Sequence, residues 1–188
     1  MRASFPGKRR GAAQSAGLAA SCTFALAVAF LCLVAAPAAA ETYLSAVVDS
    51  NGTLRVQTQS HKQFTPKKDP TQVGFDKPHI SPDGHAVGWL ALYPNCCTSY
   101  PIPLALIVAS GGKQRTYRGI ELPVWKWCFE SQGRQIAFEQ ETVHGGMGIH
   151  YELHDDSTGR LLAEYEPPEG SDDLSKAPKW VRELEAKP

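Results

Sequence analysis

The chain repeats itself, and this constrains its fold more than any other feature. Ile80-Ser81-Pro82-Asp83-Gly84-His85-Ala86-Val87-Gly88-Trp89 is echoed by Phe129-Glu130-Ser131-Gln132-Gly133-Arg134-Gln135-Ile136-Ala137-Phe138. Gly84 and Gly133 lie 49 residues apart (133 − 84), and a strand-like run follows each. Leu106-Ile107-Val108 ahead of Gly112-Lys113 is matched by Tyr151-Glu152-Leu153 ahead of Gly159-Arg160, with these glycines 47 apart (159 − 112). A period of about 40–50 residues, made of a strand, a glycine turn and further strands, is that of propeller-blade repeats. The turn chemistry agrees. In Ser81-Pro82-Asp83-Gly84 the proline presets one φ, the aspartate can bond nearby backbone, and the glycine accepts positive φ.

The first unit runs from about Val73 to Arg118 and the second from about Ile120 to Glu166. Val87–Leu92 reads as a buried strand, and Leu104–Ala109 as an inner strand covered on both faces, since every position is apolar. In the second unit, strands are expected at Val124–Phe129, Arg134–Val143, Ile149–Leu153 and Arg160–Glu164. Ahead of both units, Tyr43–Val48 and Thr53–Gln59 flank Asn51-Gly52, a hairpin signal. His61–Lys77 reads as a surface loop. After Pro167-Pro168 the chain turns polar, and Lys179–Ala186 reads as a short helix started by Pro178. A helix this short needs Trp180 and Leu184 to dock. The expected fold is all-β: two antiparallel blade-like sheets packed together over 41–167, with a tail at 168–188 ending in a short helix.

The two units resemble the WD40-like propeller repeats of TolB-type periplasmic proteins. Ser81-Pro82-Asp83-Gly84 fits the first turn of such a blade closely, and Ser131-Gln132-Gly133 loosely. Ser157-Thr158-Gly159-Arg160 fits the T-G-[KR] turn well, and Gly111-Gly112-Lys113 in part. The resemblance covers roughly Val73 to Glu166. Closed propellers have about four to eight blades, and this chain has room for two and a third partial one. Either the units pack face to face like a sandwich, or several chains assemble as a homo-oligomer.

Residues 1–40 read as an export signal: basic Arg2, Lys8, Arg9 and Arg10, an uncharged apolar run Thr23–Ala36, then Pro37-Ala38-Ala39-Ala40 as the cleavage site. The run is shorter than the about 20 residues that span a bilayer. The implied location is periplasmic or secreted, with no membrane span after cleavage. The remaining chain carries 15 basic residues (19 − 4) against 19 acidic ones. No Lys/Arg cluster remains, so nucleic acid is not an expected partner. A protein or small ligand of the cell envelope is, and no cofactor is expected.

Three cysteines follow the signal. An exported domain oxidises its thiols, and a bridge from Cys128 to Cys96 or Cys97 would pin the irregular 95–103 segment to the second unit. A vicinal Cys96–Cys97 bond is the strained alternative. His150, Glu152 and His154 alternate along one strand, roughly 6.5–7 Å between successive side chains. They read as a solvated face, whose triple replacement by threonine would change stability by less than about 0.5 kcal/mol. With His144 they would otherwise suit zinc or copper; no metal is expected. His144-Gly145-Gly146-Met147-Gly148 looks like a lipase oxyanion turn, but the chain has no G-x-S-x-G elbow.

Tyr100, Trp125, Trp127, His144 and His150 are the candidate binding residues, Trp125 and Trp127 sharing one strand face. No nucleophile–base–oxyanion set is complete, which favours binding over catalysis. The expected function is an exported β-repeat binding or scaffolding protein of the envelope, with no catalytic residue. The alternative is a small metal- or carboxylate-dependent hydrolase using a face of Glu139, Glu141, His144 and His150.

Overall fold

A computed structural model describes residues 41–146, 148–168 and 173–187. The expected signal, residues 1–40, lies outside the described residues, as do Met147 of the glycine-rich loop and 169–172 of the tail. The described chain forms three antiparallel sheets and one short helix. β1 (Tyr43–Val48), β2 (Leu54–Thr58) and β3 (Gln63–Phe64) make the first sheet. The second runs β4 (Gly74–Ile80), β5 (Ala86–Tyr93), β6 (Ile102–Ser110) and β7 (Lys113–Tyr117). The third runs β8 (Val124–Glu130), β9 (Gln135–Gln140), β10 (His150–Asp155) and β11 (Leu161–Tyr165). The helix, α1, is Lys179–Glu185.

Each sheet is a sequential meander, the arrangement of a propeller blade, but three of them form a stack rather than a ring. The two repeat units are the second and third sheets, as expected. Ser81–Gly84 turns β4 into β5, with the Gly84 N–H bonded to the Ser81 carbonyl at 2.8 Å. Ser157–Arg160 turns β10 into β11, with Gly159 N–H on the Asp155 carbonyl four residues back at 2.8 Å. The expected loop at His61–Lys77 is corrected: it contains β3 and opens β4. Pro78 and a register shift between Asp76 and His79 break the strand pattern there.

Side-chain alternation builds the layers. From β5, Val87, Trp89, Ala91 and Tyr93 meet Leu54 and Val56 of the first sheet. Ala86 and Leu90 point the other way, with Leu106 and Val108 of β6, onto Trp127, Phe129, Ile136 and Phe138 of the third sheet. The all-apolar runs of β5 and β6 are thus covered on both faces. The outer face of the third sheet, Cys128, Ala137, Tyr151 and Leu153, is closed by Val181 and Leu184 of α1. Trp180, partly buried, packs against that cluster.

Two contacts lock the second sheet to the third. Trp127 lies directly on Gly88, where a Cβ would come 2.5 Å from the indole, so only glycine fits. At one end of the stack, Arg115 of β7 donates to the carbonyls of Asp156 (2.9 Å), Thr158 (3.0 Å) and Ser157. Its planar fork clasps the β10–β11 turn of the neighbouring sheet.

Candidate functional site

The His150, Glu152, His154 face is buried, which corrects the solvated reading. In the β9–β10 register these residues stand beside Gln140, Phe138 and Ile136, the side that faces the second sheet. His150 and Glu152 are only 4% and 5% exposed. Glu152 sits between the imidazoles, 3.1 Å from His150 Nε2 and 2.6 Å from His154 Nε2. His150 Nδ1 meets Glu166 at 3.0 Å, and His154 Nδ1 meets the Gly159 carbonyl at 3.1 Å.

His154 also stacks on Phe138 (5.4 Å, 14°) and meets Tyr117 edge-on at 5.1 Å. The β7–β8 connection seals the network through Gln140, which is fully buried. Gln140 Oε1 accepts the Ile120 N–H at 3.0 Å, and its amide donates to the carbonyls of Arg118 and Leu122. At Gly119 a Cβ would fall 1.9 Å from Gln140 Oε1 and 2.7 Å from Glu152 Oε1. All four imidazole nitrogens are spent inside the fold. Among the described residues no group of three or more His, Cys, Asp or Glu is arranged to hold a metal ion.

Glu139 belongs to the opposite face. It stands beside Tyr151 and Lys126 in the register and points at α1. Lys126 Nζ is 3.5 Å from Glu139 Oε2 and is paired with Glu185, which also accepts the Tyr151 hydroxyl at 3.1 Å. Glu139 is 5% exposed. Burial first, then the neighbouring Glu185, pushes its carboxyl up to about 7. Glu139 and His150 therefore do not share a face, and His144 is exposed in the 141–149 loop. The single Glu139/Glu141/His144/His150 site required by the hydrolase alternative does not assemble.

A cavity of about 270 Å³ opens between the free edges of β4 and β8. His79, Ile80 and Pro82 line one wall, Trp127 and Phe129 the other, and Lys187 closes one end. His79 meets Trp127 edge-on, 5.0 Å between ring centroids. The His79 imidazole has no hydrogen-bond partner among the described residues. Partial burial first, then the ammoniums of Lys77 and Lys187, hold it below its ordinary value.

Those lysines also occupy the open edge of β8. Lys77 Nζ donates to the Trp125 carbonyl at 2.6 Å, and Lys187 Nζ to the Phe129 carbonyl at 3.2 Å. An edge strand covered by lysine resists unwanted strand pairing. Sequence reasoning missed this groove because it took His61–Lys77 as loop and left His79 unread.

The remaining expectations are redistributed. Trp127 is core, its indole N–H on the Lys77 carbonyl at 2.9 Å. Trp125 is the extra residue where the β8–β9 register shifts, so it does not share a simple face with Trp127; its N–H reaches the Glu141 carbonyl. Tyr100 is exposed beyond β5, and His150 is internal. The bridge from Cys128 to Cys96 or Cys97 is not formed: all three thiols are free. Cys128 is buried beneath α1, 3.1 Å from Glu130, while Cys96 and Cys97 are exposed in the β5–β6 connection. No protein-family model matches the chain, and no curated protein matches its sequence.

Proposed function

We propose that the protein is an exported, non-enzymatic β-repeat protein that binds or scaffolds other molecules at the cell envelope, and that the β4–β8 groove is where it binds. One observation carries the binding reading. Glu139, His150, Glu152 and His154 are consumed by internal networks, whereas the groove offers an unbonded imidazole, an indole edge and two flanking ammoniums. An apolar cavity with a few convergent polar groups is the ordinary form of a ligand site. The three meander sheets support the kinship with WD40-like propeller repeats. The Arg/Lys-led apolar run and A-x-A site of 1–40 support export to the periplasm or medium. No described helix is long and apolar enough to cross a membrane. Leu44 and Val47, 55% and 58% exposed on the first sheet, support assembly of several chains, which solution mass tests directly.

The binding test uses a photo-crosslinking residue in place of His79 and, as a control, in place of Lys113 on β7. Full-length chains carrying each are irradiated with envelope extract. Adducts specific to position 79, competed by unlabelled wild-type protein, are the expected result. Equal labelling at both positions, or none at 79, refutes the groove as the binding place.

A further inference from the structure

Cys96 and Cys97 are adjacent, free and exposed, in a connection that belongs to no sheet. The Asn95 side chain shapes the turn around them. Its Oδ1 accepts the Cys97 N–H at 3.4 Å, and its amide donates to Thr98 Oγ1 at 3.1 Å. The Thr98 hydroxyl in turn donates to the Tyr100 carbonyl at 2.5 Å. The neighbouring Cys96 thiol pushes the Cys97 thiol up. Cys128 is excluded from this pair, since it is 5% exposed and burial pushes its thiol up to about 12.

We propose that Cys96 and Cys97 form a two-electron redox site that exchanges with a disulfide-bearing partner and cycles between a vicinal dithiol and a vicinal disulfide. The thiolate of one cysteine attacks a sulfur of the partner disulfide and expels the other as a thiolate. The neighbouring cysteine then attacks the mixed disulfide through its own sulfur and releases the second partner thiol. Two thiols are oxidised to one S–S bond, two protons leave them, and the partner disulfide takes up the two electrons and two protons.

Adjacency decides the character of the bond. Neighbouring Cα atoms stand about 3.8 Å apart across a trans peptide, short of the about 4.4–6.8 Å usual for disulfides. The closed form is strained, and strained, exposed disulfides are the readily reduced ones. The pair is thus a reversible site rather than a staple. Because the turn lies outside the sheets, closing it reshapes the approach to Tyr100 without opening the core.

The test treats the folded full-length chain with glutathione disulfide, blocks remaining thiols with N-ethylmaleimide, and maps the peptide that carries both cysteines by mass. The expected product lacks two hydrogens, carries no glutathione, and reverts on addition of excess reduced glutathione. Cys97→Ser is expected to keep one glutathione on Cys96, because no second thiol is present to expel it. Cys128→Ser is expected to behave as wild type. Unchanged tryptophan emission establishes that each variant is folded. Glutathione retained on both wild-type cysteines, an unmodified peptide, or a bond from either residue to another cysteine overturns the proposal.

Discussion

Glu139→Gln separates the energetic role of the α1-facing carboxylate from everything else that titrates. The folded protein holds the Glu139 proton up to about pH 7, while an unfolded chain releases it near 4.5. Between those values the folded state binds more protons than the unfolded state, so stability falls as pH rises through the window. A shift from 4.5 to about 7 corresponds to at most about 3.5 kcal/mol at about 1.4 kcal/mol per unit. Glu185, whose charge adds to the upward shift, is 22% open to water, and screening there reduces the expected effect to about 2 kcal/mol. Glu185 is shifted the other way, chiefly by its bond to Lys126 against its own burial. Its stabilisation is present above about 4.5 and is lost only at lower pH, outside the window.

Glutamine keeps the shape and cannot ionise. Urea unfolding followed by tryptophan emission, at intervals from pH 4.5 to 8, is expected to give equal stability for the two proteins near pH 4.5. At pH 8 the variant should be more stable by about 2 kcal/mol, with the same m-value. His79, held below its ordinary value, makes stability rise with pH up to about 6.5, and it does so in both proteins. The difference between the two curves therefore isolates Glu139. Parallel curves from pH 5 to 8, or a variant weaker than wild type at pH 8, would falsify the assignment of a buried, proton-holding carboxyl.

Four further variants probe the stack. Gly88→Ala drives a methyl into the Trp127 ring, 2.5 Å away, and should lower stability by about 1–3 kcal/mol; an unchanged melting temperature would show that the sheets are not interlocked there. Glu152→Ala leaves two imidazoles facing a void and should lower stability by about 2–4 kcal/mol. Replacing His150, Glu152 and His154 together by threonine should weaken the fold at least as much, and a loss under about 0.5 kcal/mol would restore the solvated reading. Arg115→Ala removes three bonds to the β10–β11 turn and should reduce stability by about 1–2 kcal/mol; faster amide exchange at Ser157–Gly159 locates the loss.

The second and third sheets were legible because turn chemistry and apolar runs agree along the chain. Ser81–Gly84 and Ser157–Arg160 carry residues that demand tight turns, and Leu104–Ala109 has no polar side to show to water. The first sheet was only half legible. Its hairpin follows from Asn51-Gly52, but β3 has two residues, too few to show a period. β4 was hidden by its own irregularity. Pro78 inside the strand and the left-handed Lys77 (φ 42°) erase the alternation that marks a strand.

The polar face of β10 was read with the correct period and the wrong environment. Alternation places His150, Glu152 and His154 on one side, but it does not say whether water or another layer lies there. That depends on Tyr117 and the 118–123 connection closing over them, contacts made across more than 20 residues of sequence. Glu139 was grouped with the histidines because faces on neighbouring strands can be matched only once the register is known, and a one-residue slip exchanges them.

The groove was closer to the surface of the sequence than it looked. In the repeat alignment that opens with Ile80 and Phe129, those two residues are equivalent, and they line opposite walls of the same cavity. β4 and β8 are the first strands of their meanders and lie at the free edges of their sheets. Stacking two copies of one unit therefore brings two equivalent edges together. What the repeat could not foretell is how the edges differ: β4 contributes His79 and Ile80, whereas β8 contributes Trp127 and Phe129. That inequality gives the groove one wall that carries an imidazole and one aromatic wall, which is why a duplicated unit can end in a site that neither copy contains alone.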